Sequence, residues 1–216
     1  ERTADRPVAS GRVSPRAALT FGLVLGLLSV IWLAILVNPL AAGLSLLGFV
    51  GYAVGYTIIL KRRTWQNIVW GGAAGAVPPL VGWAAVDGRI TGMAIYLFAI
   101  VFFWTPPHFW ALSLLMKDEY AEVGIPMLPV VRGENETRRQ ILLYTVLLYA
   151  VSQLPFCGDG MGALYLGVSL VLGVIFIALA VQLRRRADRR SALRLYLFSL
   201  VYLAALFAAM VVDVHL

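Results

Sequence analysis

The chain has 216 residues, of which 61% are hydrophobic and 13% charged, with a formal net charge of +7 and a mean hydropathy of +0.84. Soluble domains run at roughly 45–50% apolar and about 25% charged, so a water-soluble globular domain is excluded and an integral membrane protein is indicated. A membrane β-barrel is excluded as well, because its strands alternate in polarity over about ten residues, and a run such as FGLVLGLLSVIWLAILV (21–37) does not.

In chain order, a basic segment with Arg2, Arg6, Arg12 and Arg16 precedes apolar windows at about 17–37, 40–60, 67–86, 93–116, 141–157, 162–183 and 193–212. Most approach the roughly 20 residues that a helix needs to cross hydrocarbon, which predicts an all-α bundle with seven transmembrane helices in a lipid bilayer. With the first helix leaving from the cytoplasm, the inner loops 1–16, 61–66, 117–140 and 184–192, together with Arg194, hold 17 of the 18 Lys and Arg, and only Arg89 lies outside. That asymmetry is the positive-inside bias, and it orients the bundle. The RRRADRR run, Arg184 to Arg190, is then a cytoplasmic helix stop facing anionic lipid and not a nucleic-acid patch. The single Cys157 forms no intrachain disulfide. The chain begins with Glu1 and shows no signal peptide, and it is expected to be an internal piece of a longer protein.

Asn38-Pro39, DGRITG (87–92) and CGDGMG (157–162) suit short outer turns, so any chemistry belongs to the longer inner connections. Gly22/Gly26, Gly51/Gly55 and Gly71/Gly75 recur at a spacing that lets helix backbones approach, and packing is the better reading of all three.

Three features carry candidate chemistry. In LLMKDEYAEVGIPMLP (114–129), a helix continuing past Met116 would put Asp118 and Glu122 on one face, with Glu119 one position off it. Two carboxylates so placed suit a hard divalent ion such as Mg²⁺, commonly shared with a phosphate. The competing reading is a solvated loop whose acids are balanced by Lys117, Arg132 and Arg138. In YTIILKRRTWQN (56–67), Lys61, Arg62 and Arg63 end the second span on the same side and could hold a diphosphate, although topology alone would explain them. In FFWTPPHFWALSL (102–114), His108 lies inside the fourth span behind an expected break at Pro106 and Pro107, where it could ligate iron, move protons or meet a backbone carbonyl freed by the prolines. Its neighbours Phe102, Phe103, Trp104, Phe109 and Trp110 would line an isoprenoid tunnel or simply pack. His215 reads as a solvated tail.

The strings KRRTWQNIVWGGAAGAVPPLVGW, WTPPHFWALSL and DEYAEVGIPMLPVVRG closely resemble the protoheme IX farnesyltransferases (haem O synthases), a branch of the UbiA-type intramembrane prenyltransferases. The resemblance runs from ERTADRP to the seventh span. It implies a nine-helix fold with acidic motifs after the second and sixth helices, so the spans here count as the third to ninth and LLMKDEYAE is the second motif. The first acidic motif lies, in the family, just upstream of the segment matched by Arg2, Thr3, Arg6 and Pro7, and it is expected to be missing together with two helices, leaving one N-terminally truncated prenyltransferase domain over 1–216.

The resemblance implies Mg²⁺-dependent transfer of a farnesyl group from farnesyl diphosphate to a vinyl group of protoheme IX, with release of diphosphate. By the same carry-over Asp118 and Lys61 are catalytic, Asp118 and Glu122 hold metal, and Lys61, Arg62, Lys117 and Arg6 hold diphosphate. His108, Trp104 and Asn67 would contact the haem or other acceptor. The superfamily's Tyr-x-x-x-Lys element occurs here with one extra residue between Tyr56 and Lys61. A quinone or chlorophyll-type acceptor, and a membrane transporter with Pro- and Gly-broken helices, are the competing functions.

Overall fold

The computed structural model describes residues 5–158 and 160–216. Arg2 and Thr3 lie outside the described residues. Among these, seven helical segments are long and apolar enough to cross a membrane.

The first span is α1 (Pro15–Leu36), which opens on a proline where no amide donor is needed, and the Ser14 side chain accepts from the Ala17 N–H. The second begins with α2 (Pro39–Val50) in the same way. The Asn38 side chain accepts from the Ala41 N–H and donates to the Ala84 carbonyl at 2.7 Å, fastening the turn between the first two spans. The span continues as a π-helical stretch, Gly51–Leu60.

The third span is broken into α3 (Asn67–Gly75) and α4 (Val77–Asp87) at Ala76, because Pro78 and Pro79 lack the N–H that an unbroken helix would require. The fourth, α5 (Gly92–Leu115), runs unbroken through Pro106 and Pro107, so the expected break is absent and the neighbouring helices support the helix there. Past its C-cap Met116, the chain starts a separate helix, α6 (Lys117–Glu122), instead of continuing α5. A short α7 (Leu128–Val131) precedes α8 (Gly133–Val151), and α9 (Leu154–Cys157) completes the fifth span. The last two spans are α10 (Ala163–Arg186) and α11 (Arg189–Asp213).

The helix α8 starts eight residues before the apolar window predicted from 141. Its first turns are polar, with Glu134 and Glu136 near the N-terminus and Arg138 and Arg139 pairing with them one turn later, a pattern that favours helix but is invisible to hydropathy.

The core gathers Trp110, Ile141, Tyr165, Phe176, Leu195 and Tyr202 from α5, α8, α10 and α11, while α1 buries no residue and packs on α2. In lipid, apolar burial gives little net drive, so close packing and polar contacts between helices matter more. The Ser152 and Tyr202 hydroxyls meet at 2.7 Å, the Tyr165 hydroxyl donates to the Ser152 carbonyl at 2.6 Å, and Asp213 accepts the Gly162 and Tyr165 amides at the start of α10. The packing reading of the glycine pairs holds in part. A Cβ on Gly26 would meet the Phe49 ring and one on Gly71 the Tyr56 ring, whereas Gly22, Gly55 and Gly75 face open space.

Candidate functional site at the inner end of the bundle

One end of the bundle, the one the charge bias predicts to be inner, carries Lys61–Arg63, α6 and the α10–α11 turn. On α6, Asp118 and Glu122 are four residues apart in one helix and both exposed, as is Glu119. Of the ion pairs among the described residues, none uses these three acids. Their expected counter-ions are engaged elsewhere. The Lys117 ammonium lies 3.1 Å and the Arg138 guanidinium 3.0 Å from opposite oxygens of Glu134, and Arg138 also donates to the Asn135 side chain at 2.8 Å. Arg132 sits 5.3 Å over the Trp65 ring. The solvated-loop reading, in which Lys117, Arg132 and Arg138 balance Asp118 and Glu122, is therefore not what the structure contains.

The second inner connection meets the first. Trp65 under Arg132 joins the loop after the second span to the α7–α8 junction, and Tyr56 lies within electrostatic reach of Tyr120 on α6. Lys61 caps the π-helical stretch and is half-buried, with Arg62 and Arg63 exposed beyond it, and no ion pair among the described residues uses any of them. The π geometry explains the extra residue between Tyr56 and Lys61. The Lys61 amide donates to the Tyr56 carbonyl at 2.8 Å, five residues back, so the two residues stand one turn apart, as residues four apart do in an α-helix. Asn67 is fully buried at the start of α3, where its amide donates to the Lys61 carbonyl at 3.1 Å and its oxygen has no partner.

Above this end, a cavity of about 240 Å³ is lined by Tyr52, Tyr56, Gly71, Trp104, Thr105 and Phe109 among others. Of the aromatic residues named as a possible tunnel, Trp104 and Phe109 face it. Phe103 and Trp110 pack against Tyr144 at ring separations of 6.2 and 5.1 Å, and Phe102 packs against Phe98 and Phe103. Trp104 also stacks on His108 at 4.3 Å, and Tyr196 of α11 stacks on the same imidazole at 4.8 Å. His108 is buried, and its Nδ1 meets the Ser199 hydroxyl at 2.7 Å, not a carbonyl freed by the prolines. Arg6 lies in an exposed turn before α1, its carbonyl accepting from Ser10, and no hydrogen bond or ion pair among the described residues joins it to α6.

The donor set fits a hard divalent ion held jointly with a ligand. Among the described residues no three His, Cys, Asp or Glu cluster as a complete protein-built metal site. Two free carboxylates on one face are what Mg²⁺ takes when substrate phosphate and water supply its remaining oxygens. Sequence reasoning missed Trp65, Tyr120, Glu134, Tyr196 and Ser199. Only Glu134 carried a signal, four residues before Arg138.

The UbiA prenyltransferase family matches residues 1–209. The chain belongs to that family. Proteins named protoheme IX farnesyltransferase are 55% identical over 98% of this chain in Chloroflexus aurantiacus and 53% identical over 99% in Thermus thermophilus. A third, from Marinobacter nauticus, is 53% identical over 98% of the chain. The chain spans 36%, 35% and 70% of the lengths of these three proteins. A solved structure described as concerning digeranylgeranylglyceryl phosphate synthase in membranes superimposes with a TM-score of 0.82 at 18% identity, covering 98% of this chain and 74% of that one. At that identity the likeness speaks for the fold, which is the UbiA helix bundle.

Proposed function

We propose that the protein transfers a farnesyl group from farnesyl diphosphate to a vinyl group of protoheme IX, making haem O and releasing diphosphate, at a site facing the cytoplasm from the inner membrane. The observation that carries the reading is the state of the charges at the inner end. Asp118 and Glu122 lie four residues apart on one short helix and, among the described residues, neither they nor Lys61 and Arg62 form an ion pair, while Trp65 under Arg132 joins the Lys61–Arg63 loop to the segment that follows the acids. The names of relatives more than half identical support the acceptor.

Asp118 and Glu122 would hold Mg²⁺, which when bound would supply positive charge to offset that of the leaving diphosphate. Lys61, as a point charge, and Arg62, as a planar fork, bind the diphosphate oxygens and stabilise the charge that grows on them as the allylic C–O bond breaks and the electron pair leaves with diphosphate. Arg6 belongs to the same diphosphate set in this proposal. Lys117 can join it only by leaving Glu134. The aromatic cavity, lined by Trp104 and Tyr56 among others, takes the prenyl chain and excludes water from the allylic cation, whose charge the aromatic rings stabilise. The vinyl π electrons form the new C–C bond, and water adds to the resulting cation with loss of a proton, leaving a hydroxyethylfarnesyl side chain.

The test uses the full-length protein with farnesyl diphosphate and haem, following haem O by mass and diphosphate release against Mg²⁺. Asp118→Asn keeps shape and removes charge. It should lower turnover by about a hundredfold or more, about 3–4 kcal/mol of transition-state stabilisation, and Glu122→Gln should cost less. Near-normal turnover of Asp118→Asn at saturating Mg²⁺ would overturn the metal assignment, and farnesylation of a quinone but not haem would overturn the acceptor.

A further inference from the structure

His108, Ser199, Tyr196 and Trp104 form one hydrogen-bonded and stacked unit between α5 and α11. The Ser199 hydroxyl oxygen is 2.7 Å from His108 Nδ1 and 2.6 Å from the Tyr196 carbonyl oxygen. A serine hydroxyl has one proton, and a carbonyl has none to give. The proton between Ser199 and the Tyr196 carbonyl is therefore serine's, and the proton between His108 and Ser199 must be carried by Nδ1. The opposite tautomer would press two oxygens together at 2.6 Å with no proton between them. Trp104 stacked at 4.3 Å and Tyr196 stacked at 4.8 Å hold the plane of the ring, and the Trp104 indole N–H is itself fixed by donating to the Ser199 carbonyl at 2.7 Å. His108 Nε2 has no hydrogen bond among the described residues, and the residue keeps 7% of its surface exposed.

We propose that Ser199 is the positioning residue that holds His108 as the neutral Nδ1–H tautomer, leaving the Nε2 lone pair to ligate the iron of the haem acceptor. The choice of iron as ligand rests on the proposed haem reaction; the tautomer rests on the hydrogen bonds alone. A bare Nε2 can ligate or accept, and it cannot donate to a haem propionate, so one of the two haem contacts open to His108 is removed. Histidine ligands to metals commonly donate their other ring N–H to an acceptor, which fixes the tautomer and raises the basicity of the ligating nitrogen, and losing that acceptor typically weakens metal binding by about 10–100-fold.

Two measurements on the full-length protein separate the parts. Without haem, ¹⁵N spectra of labelled histidine, with His108 assigned by its loss in His108→Ala, should show a protonated Nδ1 and a bare Nε2. Ser199→Ala should shift the ring toward the Nε2–H form and Ser199→Thr should keep the original one. An Nε2–H signal in the unaltered protein overturns the tautomer whatever the acceptor is. With ferrous haem, resonance Raman should show an iron–histidine vibration that disappears in His108→Gly and returns on adding imidazole. Ser199→Ala should lower its frequency and weaken haem binding about 10–100-fold, with farnesyl diphosphate affinity unchanged as the check on folding, and Ser199→Thr should restore both. If Ser199→Ala does not insert, Ser199→Cys, of similar size and a weak acceptor, should give an intermediate frequency. Haem spectra identical in the unaltered protein and His108→Gly overturn iron ligation, even where haem O is still made; absence of haem O with the tautomer intact overturns the proposed reaction and leaves the positioning role of Ser199 standing.

Discussion

A single methyl group at position 71 tests how the π-helical stretch sets the site. A Cβ built on Gly71 falls 2.5 Å from Tyr56 Cδ2, 2.7 Å from Cε2 and 3.2 Å from Cγ. Carbon atoms in ordinary contact stand about 3.5–4.0 Å apart, so the ring edge must retreat by roughly 1 Å. Because Cγ is also crowded, twisting the ring in place does not clear the clash, and either the Tyr56 side chain swings or the π-helical stretch moves. Overpacking of this kind costs about 1–3 kcal/mol, and the gain of alanine over glycine within α3 offsets about 0.5–1 kcal/mol of it.

The stability loss alone is thus modest, and the decisive measurement is a double-mutant cycle. In a Tyr56→Ala background the ring is gone, and Gly71→Ala should be neutral or stabilising by about 0.5–1 kcal/mol, giving a coupling of about 1–3 kcal/mol between the positions. Thermal unfolding of the full-length protein in detergent measures the cycle. In the Tyr56-containing background KM for farnesyl diphosphate should also rise, because Tyr56 lines the aromatic cavity and stands one turn from Lys61. Equal destabilisation by Gly71→Ala in both backgrounds would refute the contact, and with it the claim that the π geometry brings Tyr56 and Lys61 to a common face.

Cysteines placed at Arg63 and Glu134 should react with an impermeant maleimide only from the cytoplasmic side and one at Gly160 only from outside; the reverse pattern sinks the proposed orientation. Arg132→Gln removes the cation over Trp65, worth about 0.5–1 kcal/mol, and should raise KM for farnesyl diphosphate about two- to fivefold with kcat little changed. Asp188 caps α11 by accepting the Ser191 N–H at 2.6 Å, and that backbone hydrogen bond, followed by its side-chain counterpart and the nearby Arg186 and Arg190, holds its carboxyl below the usual carboxylate range. A depressed carboxyl supports the fold above its unfolded pKa and loses that support as pH falls through the folded value, so exchange protection of the Ser191 amide should fade in acid and Asp188→Asn should flatten the dependence.

The spans were legible because lipid demands long apolar helices, and composition alone reads that demand. Polar helix was not legible by the same means. The residues Gly133 to Gln140 carry too many charges for a hydropathy window, and their helix depends on local ion pairs and on burial of Arg138, 8% exposed. The acids of α6 were found from their spacing, but their freedom was not, because it depends on Glu134, twelve or more positions downstream, taking Lys117 and Arg138. Ser199 was beyond reach for another reason. Its meaning comes from packing α11 on α5, which puts 91 residues between the two ends of one hydrogen bond. The proline pair misled in the opposite direction, since a local rule predicted a break and the surrounding helices overrode it.

The inner end thus separates its charges into two sets with different uses. Glu134 pairs with Arg138 within α8 and with Lys117 at the start of α6, which leaves those cations unavailable to the acids. The other set stays open, with Asp118, Glu119 and Glu122 on one connection and Lys61, Arg62 and Arg63 on the next. If the two sides simply needed each other, ion pairs would be expected between them, and none is present among the described residues. A bare polyanion would be attracted by Lys61 and Arg62 and repelled by Asp118 and Glu122; a bare cation would meet the reverse. In the proposed function a diphosphate carrying a divalent ion would answer both sets, since it presents both signs at once. In the proposed function the apolar tail of that ligand enters the adjoining aromatic cavity, which Tyr56 and Trp104 line, and the Trp104 ring rests on His108.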